Sequence, residues 1–221
     1  GSSLVGSEMC IRDSFQINGW SNDWFGGYPL YYFYFPLPAI ITFFLNLIFP
    51  FGIAFKIMVV LSIILVVYSI EKLMRKTSNQ ISIYGATAGL FYVFTESFTI
   101  YGGNLASTLA GQFSFGYSLA FANLSIFYLL KSNNNFRFPI SSIFLALCLL
   151  SHLIPFIIYS PIYAFYWLSR KQNFNQKILS ISIFLALVSR WSASLIMNLE
   201  YTTNMSYTPF SRIEDLIKQD I

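Results

Sequence analysis

Charge is scarce in this chain of 221 residues: Asp, Glu, Lys and Arg together make up 10% of it, against about 25% in a soluble globular domain. Histidine occurs once, at His152, and cysteine twice, at Cys10 and Cys148. Two cysteines so placed rule out a disulfide framework. One histidine, with no Cys or carboxylate cluster at ligand spacing, gives no basis for a metal site, and nothing calls for a cofactor. No P-loop, no G-x-G-x-x-G after a strand and no G-x-S-x-G elbow occurs, which removes the common nucleotide-binding and serine-hydrolase signatures. The net charge of +4 comes without a basic stripe interleaved with stacking aromatics, so nucleic acid is not an expected partner.

Apolar residues are what the chain has, at 56%, with 19% aromatic. They fall into long runs, roughly Gly52–Ile70, Ile81–Ile100, Phe113–Leu130, Ile140–Leu168 and Ile178–Met197. A helix crossing a bilayer needs about 18 or more such residues, and a soluble helix would carry a polar face that these runs lack. The expected class is all-α: a polytopic helical membrane protein with interfacial or re-entrant helices, embedded in a lipid bilayer. The first stretch, Gly1–Ser14 (GSSLVGSEMCIRDS), has neither an apolar run nor a basic start. It reads as translated sequencing adapter and is set apart from the fold. The chain is accordingly expected to be a fragment. Phe15–Pro38, punctuated by Gly and Pro and crowded with Trp and Tyr, has the composition of a membrane-interface segment. Ala39–Phe49 is too short for a ~30 Å hydrocarbon core at about 1.5 Å per residue, so it reads as an interfacial or re-entrant helix.

The basic residues fix the sides. Lys72, Arg75 and Lys76 fall in 71–80, Lys131 and Arg137 in 131–139, and Arg170, Lys171 and Lys177 in 170–177. The positive-inside rule makes all three loops cytoplasmic. Ile140–Leu168 must then go out and return, with Pro155 and Pro161 supplying the break and the turn near His152–Pro155. Residues 39–197 form the bundle, while the aromatic loop 15–38, Tyr101–Gln112, the His152 turn and 198–221 converge on the outer face.

Several residues there carry candidate chemistry, each with a plainer reading beside it. Asp23, among aromatics, is either a general base or sugar ligand, or a solvated loop residue or helix N-cap. Glu96 near the end of an apolar helix either faces a cavity or snorkels to the interface. Gly102–Gln112, with Asn104, Ser107, Thr108 and Gln112, either lets a backbone and its hydroxyls approach phosphate or sugar, or is a tight loop with a Ser/Thr cap. His152 either contacts a proton or phosphate, or bonds the broken backbone. Arg190 lies over halfway along its span and either pairs with a lipid-linked phosphate or sits at the outer interface. Gly85-Ala86-Thr87-Ala88-Gly89 is a G-x-x-x-G that reads as helix packing.

A set of segments in fixed order carries a family resemblance: Asp23–Pro38 (DWFGGYPLYYFYFPLP), Ala54-Phe55-Lys56, Gly102–Phe115 (GGNLASTLAGQFSF), Ser151-His152 and Leu199–Met205. Together they resemble the bacterial and archaeal membrane family called "6-pyruvoyl-tetrahydropterin synthase-related", over about residues 18–207. Such proteins resemble GT-C glycosyltransferases. The resemblance implies a partial GT-C-like transmembrane bundle, a polyprenyl-phosphate-linked sugar donor, a glycan or lipid acceptor, and chemistry at the outer face. It implies a catalytic carboxylate in an outer loop, for which Asp23 is the candidate, beside the substrate contacts read from the residues themselves: Glu96, Asn104, Ser107, Thr108, Gln112, His152 and Arg190. The chain departs from the family pattern in carrying Gln112 where the family has the Glu of AGEF, and in placing Arg190-Trp191 where apolar and aromatic residues are expected. Broken helices and intramembrane charge also suit a secondary transporter, and a non-catalytic assembly subunit is a third reading.

The topology has a direct test. Single cysteines at Asn79, Asn134 and Asn173 are expected to react with an impermeant reagent from one side, and those at Asn104 and Asn204 from the other. Reaction of Asn173→Cys together with Asn104→Cys would mean that Ile140–Leu168 crosses once.

Overall fold

The structure is a computed structural model that describes residues 19–21, 27–77, 82–95, 102–131 and 137–201. Apart from one small antiparallel ribbon, β1 (Gly19–Ser21) with β2 (Tyr28–Leu30), regular structure there is helical. The helices are α1 (Leu37–Asn46), α2 (Phe51–Thr77), α3 (Ser82–Val93), α4 (Phe113–Leu130), α5 (Arg137–Ser151), α6 (Leu153–Ser169) and α7 (Phe174–Met197). Three helical stretches are long and apolar enough to cross a membrane: Phe51–Arg75, Leu105–Leu130 and Phe174–Met197.

α4 is the centre. Most of its residues are buried, as an all-apolar helix must be when protein surrounds it. α2 lies against it through one stripe, Ala54, Met58, Ser62, Val66 and Ser69, whose spacing of three to four residues places them on a single face. The two run parallel. Tyr117 donates its hydroxyl to the Met58 carbonyl (2.6 Å), and Asn123 donates to the Ser69 hydroxyl (3.1 Å). α3 runs back along α2 through the G-x-x-x-G. A Cβ at Gly85 would lie 2.7 Å from Met74 Cβ, and one at Gly89 would lie 3.1 Å from Val67 Cα. The packing reading of that motif holds.

α5 and α6 form an antiparallel hairpin. Phe138 stacks on Trp167, and the Ser141 hydroxyl meets Tyr163 OH at 2.8 Å, so positions pair symmetrically about His152. The turn is the single residue His152, in extended conformation, rather than His152–Pro155. Pro155 lies in the first turn of α6, where its missing N–H costs nothing, yet its ring would clash with the carbonyl of Ser151 if α5 continued. Pro161 sits inside α6 without ending it. α7 covers the other side of α5, turning Ser180, Val188 and Trp191 inward.

Two further expectations change. The run Ile81–Ile100 is not one long span: α3 has 12 residues, about 18 Å at 1.5 Å per residue, and falls short of the hydrocarbon thickness. The residues read as loop 71–80 begin as the last two turns of α2, where Arg75 and Glu71 pair at 2.7 Å one helical turn apart. α1, with ten residues, has the short length expected of a helix that does not cross.

Side-chain contacts place the ends. Leu73 packs on the cluster of Ile126, Leu129 and Phe138, Arg170 donates to the Leu130 carbonyl (2.7 Å) and Arg137 to that of Lys131 (3.4 Å). The basic stretches therefore meet at one end, and the His152 turn lies at the other.

The glycines rank by what a methyl would meet. Gly85→Ala and Gly89→Ala should each destabilise by about 1–3 kcal/mol through overpacking against α2. Gly116→Ala, 3.3 Å from the end of the Ser62 side chain, should cost less. Gly52→Ala meets nothing within 4 Å and should be neutral or stabilise by up to about 1 kcal/mol. Thermal midpoints in one detergent check the order, and equal costs at Gly52 and Gly89 would contradict the α2–α3 packing.

Candidate functional site at the aromatic end

At the end opposite the basic loops, four rings close over two interruptions of the backbone. The first interruption is His152. Its N–H still donates to the Cys148 carbonyl (3.1 Å) as the last bond of α5, and its Nδ1 accepts from the Ile154 amide (3.2 Å) as the N-cap of α6. The Ser118 hydroxyl lies 2.9 Å from the carbonyls of both Cys148 and His152. The backbone-bonding reading of His152 is therefore realised, and with Nδ1 an acceptor, the proton of the neutral ring sits on Nε2. The imidazole is half-buried between Phe35, stacked at 5.5 Å, and Phe115, set T-shaped to it, also at 5.5 Å.

The second interruption is Gly102–Gln112. Gly102 and Gly103 adopt φ of +85° and +97°, where a side chain is strained. There is no room for one either: a Cβ on Gly102 would come within 2.7 Å of Phe115 Cβ, and one on Gly103 would strike the Tyr92 hydroxyl. Asn104 then caps the next turn. Its Oδ1 accepts from the Ser107 amide (2.9 Å), its Nδ2 donates to the Thr95 carbonyl (3.1 Å), and its own carbonyl receives the Thr108 hydroxyl (2.7 Å). A π-helical stretch, Thr108–Gln112, leads into α4 across Gly111, whose φ of +110° makes the kink.

The expected site residues thus separate. Asn104, Ser107 and Thr108 are buried and bonded within the loop, which is capped by Asn104 rather than by a Ser or Thr. Gln112 is half-buried beside Gly102, and through Gly102 and Phe115 it belongs to the same end as His152. Arg190, read as a partner of lipid-linked phosphate or as a residue at the outer interface, is exposed on α7. Its neighbour Trp191, about 100° round the helix, is the residue that turns in. Trp191 donates its indole N–H to the Tyr34 carbonyl (2.9 Å) and packs against Phe35 at 5.2 Å. Asp23 and Glu96 lie outside the described residues. Among the described residues, no three His, Cys, Asp or Glu side chains are grouped as metal ligands.

Sequence reading missed Phe115 and Trp191 as parts of this end. The pattern Ser-Arg-Trp-Ser drew attention to its charge, and hydropathy gave no sign of which residue faces the bundle. Tyr31, the one described non-glycine residue with positive φ (54°), is buried where the aromatic segment leaves β2. Such a conformation persists only where surrounding packing enforces it.

Asn104 divides its two roles cleanly. Asn104→Ala removes the cap and the Thr95 bond and should cost about 1–3 kcal/mol. Asn104→Asp keeps the acceptor to Ser107 while losing the donor to Thr95, and should cost less. Denaturation midpoints of the two variants measure the difference, and an unaffected alanine variant would dismiss the capping role.

Compared with known proteins, the chain matches no protein-family model, no curated protein and no solved structure.

Proposed function

We propose that this chain is the membrane part of a GT-C-like enzyme that transfers sugar from a polyprenyl-phosphate donor to a glycan or lipid acceptor at the outer face. Loops 71–80, 131–139 and 170–177 are then cytoplasmic. The observation that carries the reading is the meeting of Phe35, Phe115, His152 and the Gly102–Gly103 turn at the end remote from the basic loops. Aromatic faces with one outward donor suit a sugar ring, which presents C–H groups on its faces and hydroxyls at its rim. His152 Nε2–H is such a donor. The family resemblance supports the same assignment.

In this reading Asp23 deprotonates the acceptor hydroxyl, and a cation offsets the charge developing on the leaving phosphate. Arg190 fits that role from the lipid side. A donor whose isoprenoid tail lies in the bilayer arrives laterally, and the exposed face of α7 is where it would meet a guanidinium.

A secondary transporter is the competing reading, favoured by the kink at Gly111 and the α5–α6 break, since discontinuous helices form transport sites. Reconstitution of the full-length protein separates the two. With a polyprenyl-phosphate hexose and acceptor, labelled sugar should appear in product. His152→Ala and Phe35→Ala should lower kcat/KM about tenfold, equivalent to roughly 1.4 kcal/mol of transition-state binding. Arg190→Ala should weaken donor binding more than Asp23→Asn does. Solute uptake into vesicles with no sugar transfer would replace this proposal by the transporter.

A further inference from the structure

The opposite end holds a second surface that the glycosyl-transfer reading does not use. Lys72, Lys131, Arg137, Arg170, Lys171 and Lys177 come from the end of α2, the α4–α5 junction and the α6–α7 junction. The packing of Leu73 with Phe138 and the bond from Arg170 to Leu130 bring those junctions together. Arg75 is there too, neutralised by Glu71 at 2.7 Å. Glu71 is the one carboxylate among the described residues of this end.

Three of these cations are held in the same way. Lys72 Nζ lies 5.1 Å from the Tyr68 ring centre, Lys131 Nζ 5.3 Å from that of Phe127, and Lys177 Nζ 5.1 Å from that of Trp167. Each ring precedes its lysine by four residues or, for Trp167, lies on the preceding helix. Ammonium groups set over aromatic rings on three elements of one end are held within reach of headgroups, the Tyr68 and Trp167 rings being of the kind enriched at a membrane interface. Two carbonyl ends also lie here: Arg170 donates to Leu130 at the end of α4, and Lys177 reaches Leu168 near the end of α6 at 3.5 Å. These bonds satisfy helix C-termini and leave Lys171, exposed between α6 and α7, to solvent. Beside it, the N-terminus of α7 has Asn173 at the cap position without a side-chain cap bond, so its first amides and its dipole add to the positive field.

We propose that this end is a docking surface for the headgroups of anionic phospholipids, with the Arg170–Lys177 junction as its principal contact. Charge complementarity names the occupant: an excess of cations, held within reach of headgroups over their aromatic partners, faces a leaflet whose phosphates are the nearest anions. The surface is independent of the chemistry at the aromatic end and holds equally for a transferase or a transporter.

Native mass spectrometry of the full chain, released from detergent after incubation with equimolar phosphatidylglycerol and phosphatidylcholine, tests it. Phosphatidylglycerol should be retained in several-fold excess. The double variant Lys171→Gln/Lys177→Gln should abolish that preference, one cation near the surface being worth up to about fivefold. Lys56→Gln, at the other end of α2, should leave it unchanged and controls for net charge. Lys171→Gln alone, which disturbs no bond described above, keeps the test valid if the double variant unfolds, and should give the single fivefold step. Equal retention of the two lipids overturns the proposal, as does a preference that survives at full strength in the Lys171→Gln variant. Displacement of the lipid by soluble polyglutamate in equal charge would reassign the surface to an acidic protein and overturn it as well.

Discussion

A bundle whose side chains are nearly all apolar has little hydrophobic reason to prefer one helix arrangement, because lipid tails solvate Leu as well as a neighbouring helix does. Specificity must come from close approach and from the few groups that form hydrogen bonds. α4 concentrates both. Gly116, Ser118, Ala120, Ala122 and Ser125 are small and buried along it, and Asn123 joins Ser69 of α2 to Tyr159 of α6, whose hydroxyl donates to Asn123 Oδ1 at 2.9 Å. A second junction binds the hairpin to α7: Tyr163 OH lies within hydrogen-bonding distance of Ser141 and Ser142, Ser142 bonds Ser180, and Trp167 donates to Ser180 at 3.3 Å. Interhelical bonds of this kind contribute roughly 0.6 kcal/mol each in a bilayer. Two such networks give a few kcal/mol, enough to select one arrangement but not to drive association. Packing of small residues supplies the remainder.

How much of this the sequence reveals depends on whether the controlling contact is local. The G-x-x-x-G of α3 was legible, because two small residues one turn apart describe a helix face without knowledge of the partner. The α5–α6 hairpin was legible from charge, since three basic stretches on one side force an even number of passages. The end of α3 was not. Phe94, Phe98 and Ile100 carry the apolar run on past Val93, and the Thr95 carbonyl is taken by Asn104, nine residues on. Hydropathy carries no trace of that bond. The same limit explains Arg190 and Trp191. The two are adjacent in sequence, one faces outward and the other anchors Tyr34 from 157 positions away, and only the packing of the aromatic segment distinguishes them.

The candidate site was legible as a place more than as a set of groups. Gly102–Gln112, His152 and the aromatic stretch do meet, and the Asn104 side chain and the Thr108 hydroxyl singled out for ligand binding bond within the loop. Asn104 carries three bonds at once, the signature of a residue that sets a backbone path. The rings that surround His152 offered no pattern to distinguish them in a chain with 19% aromatics.

The two ends of the bundle differ for a single reason. At the basic end, helices terminate beside one another, and arginine or lysine reaches the carbonyls of Leu130, Lys131 and Leu168. At the aromatic end, the chain is broken within the apolar body, at His152 and at Gly102–Gly111, and each break frees polar backbone that hydrocarbon cannot solvate. Ser118 takes up the carbonyls on one side of the His152 break, the imidazole takes up an amide on the other, and Phe35 and Phe115 close over the ring. The aromatic segment is therefore held where the backbone most needs covering. What that covering leaves is a half-buried imidazole, flanked by rings and fixed with its Nδ1 occupied.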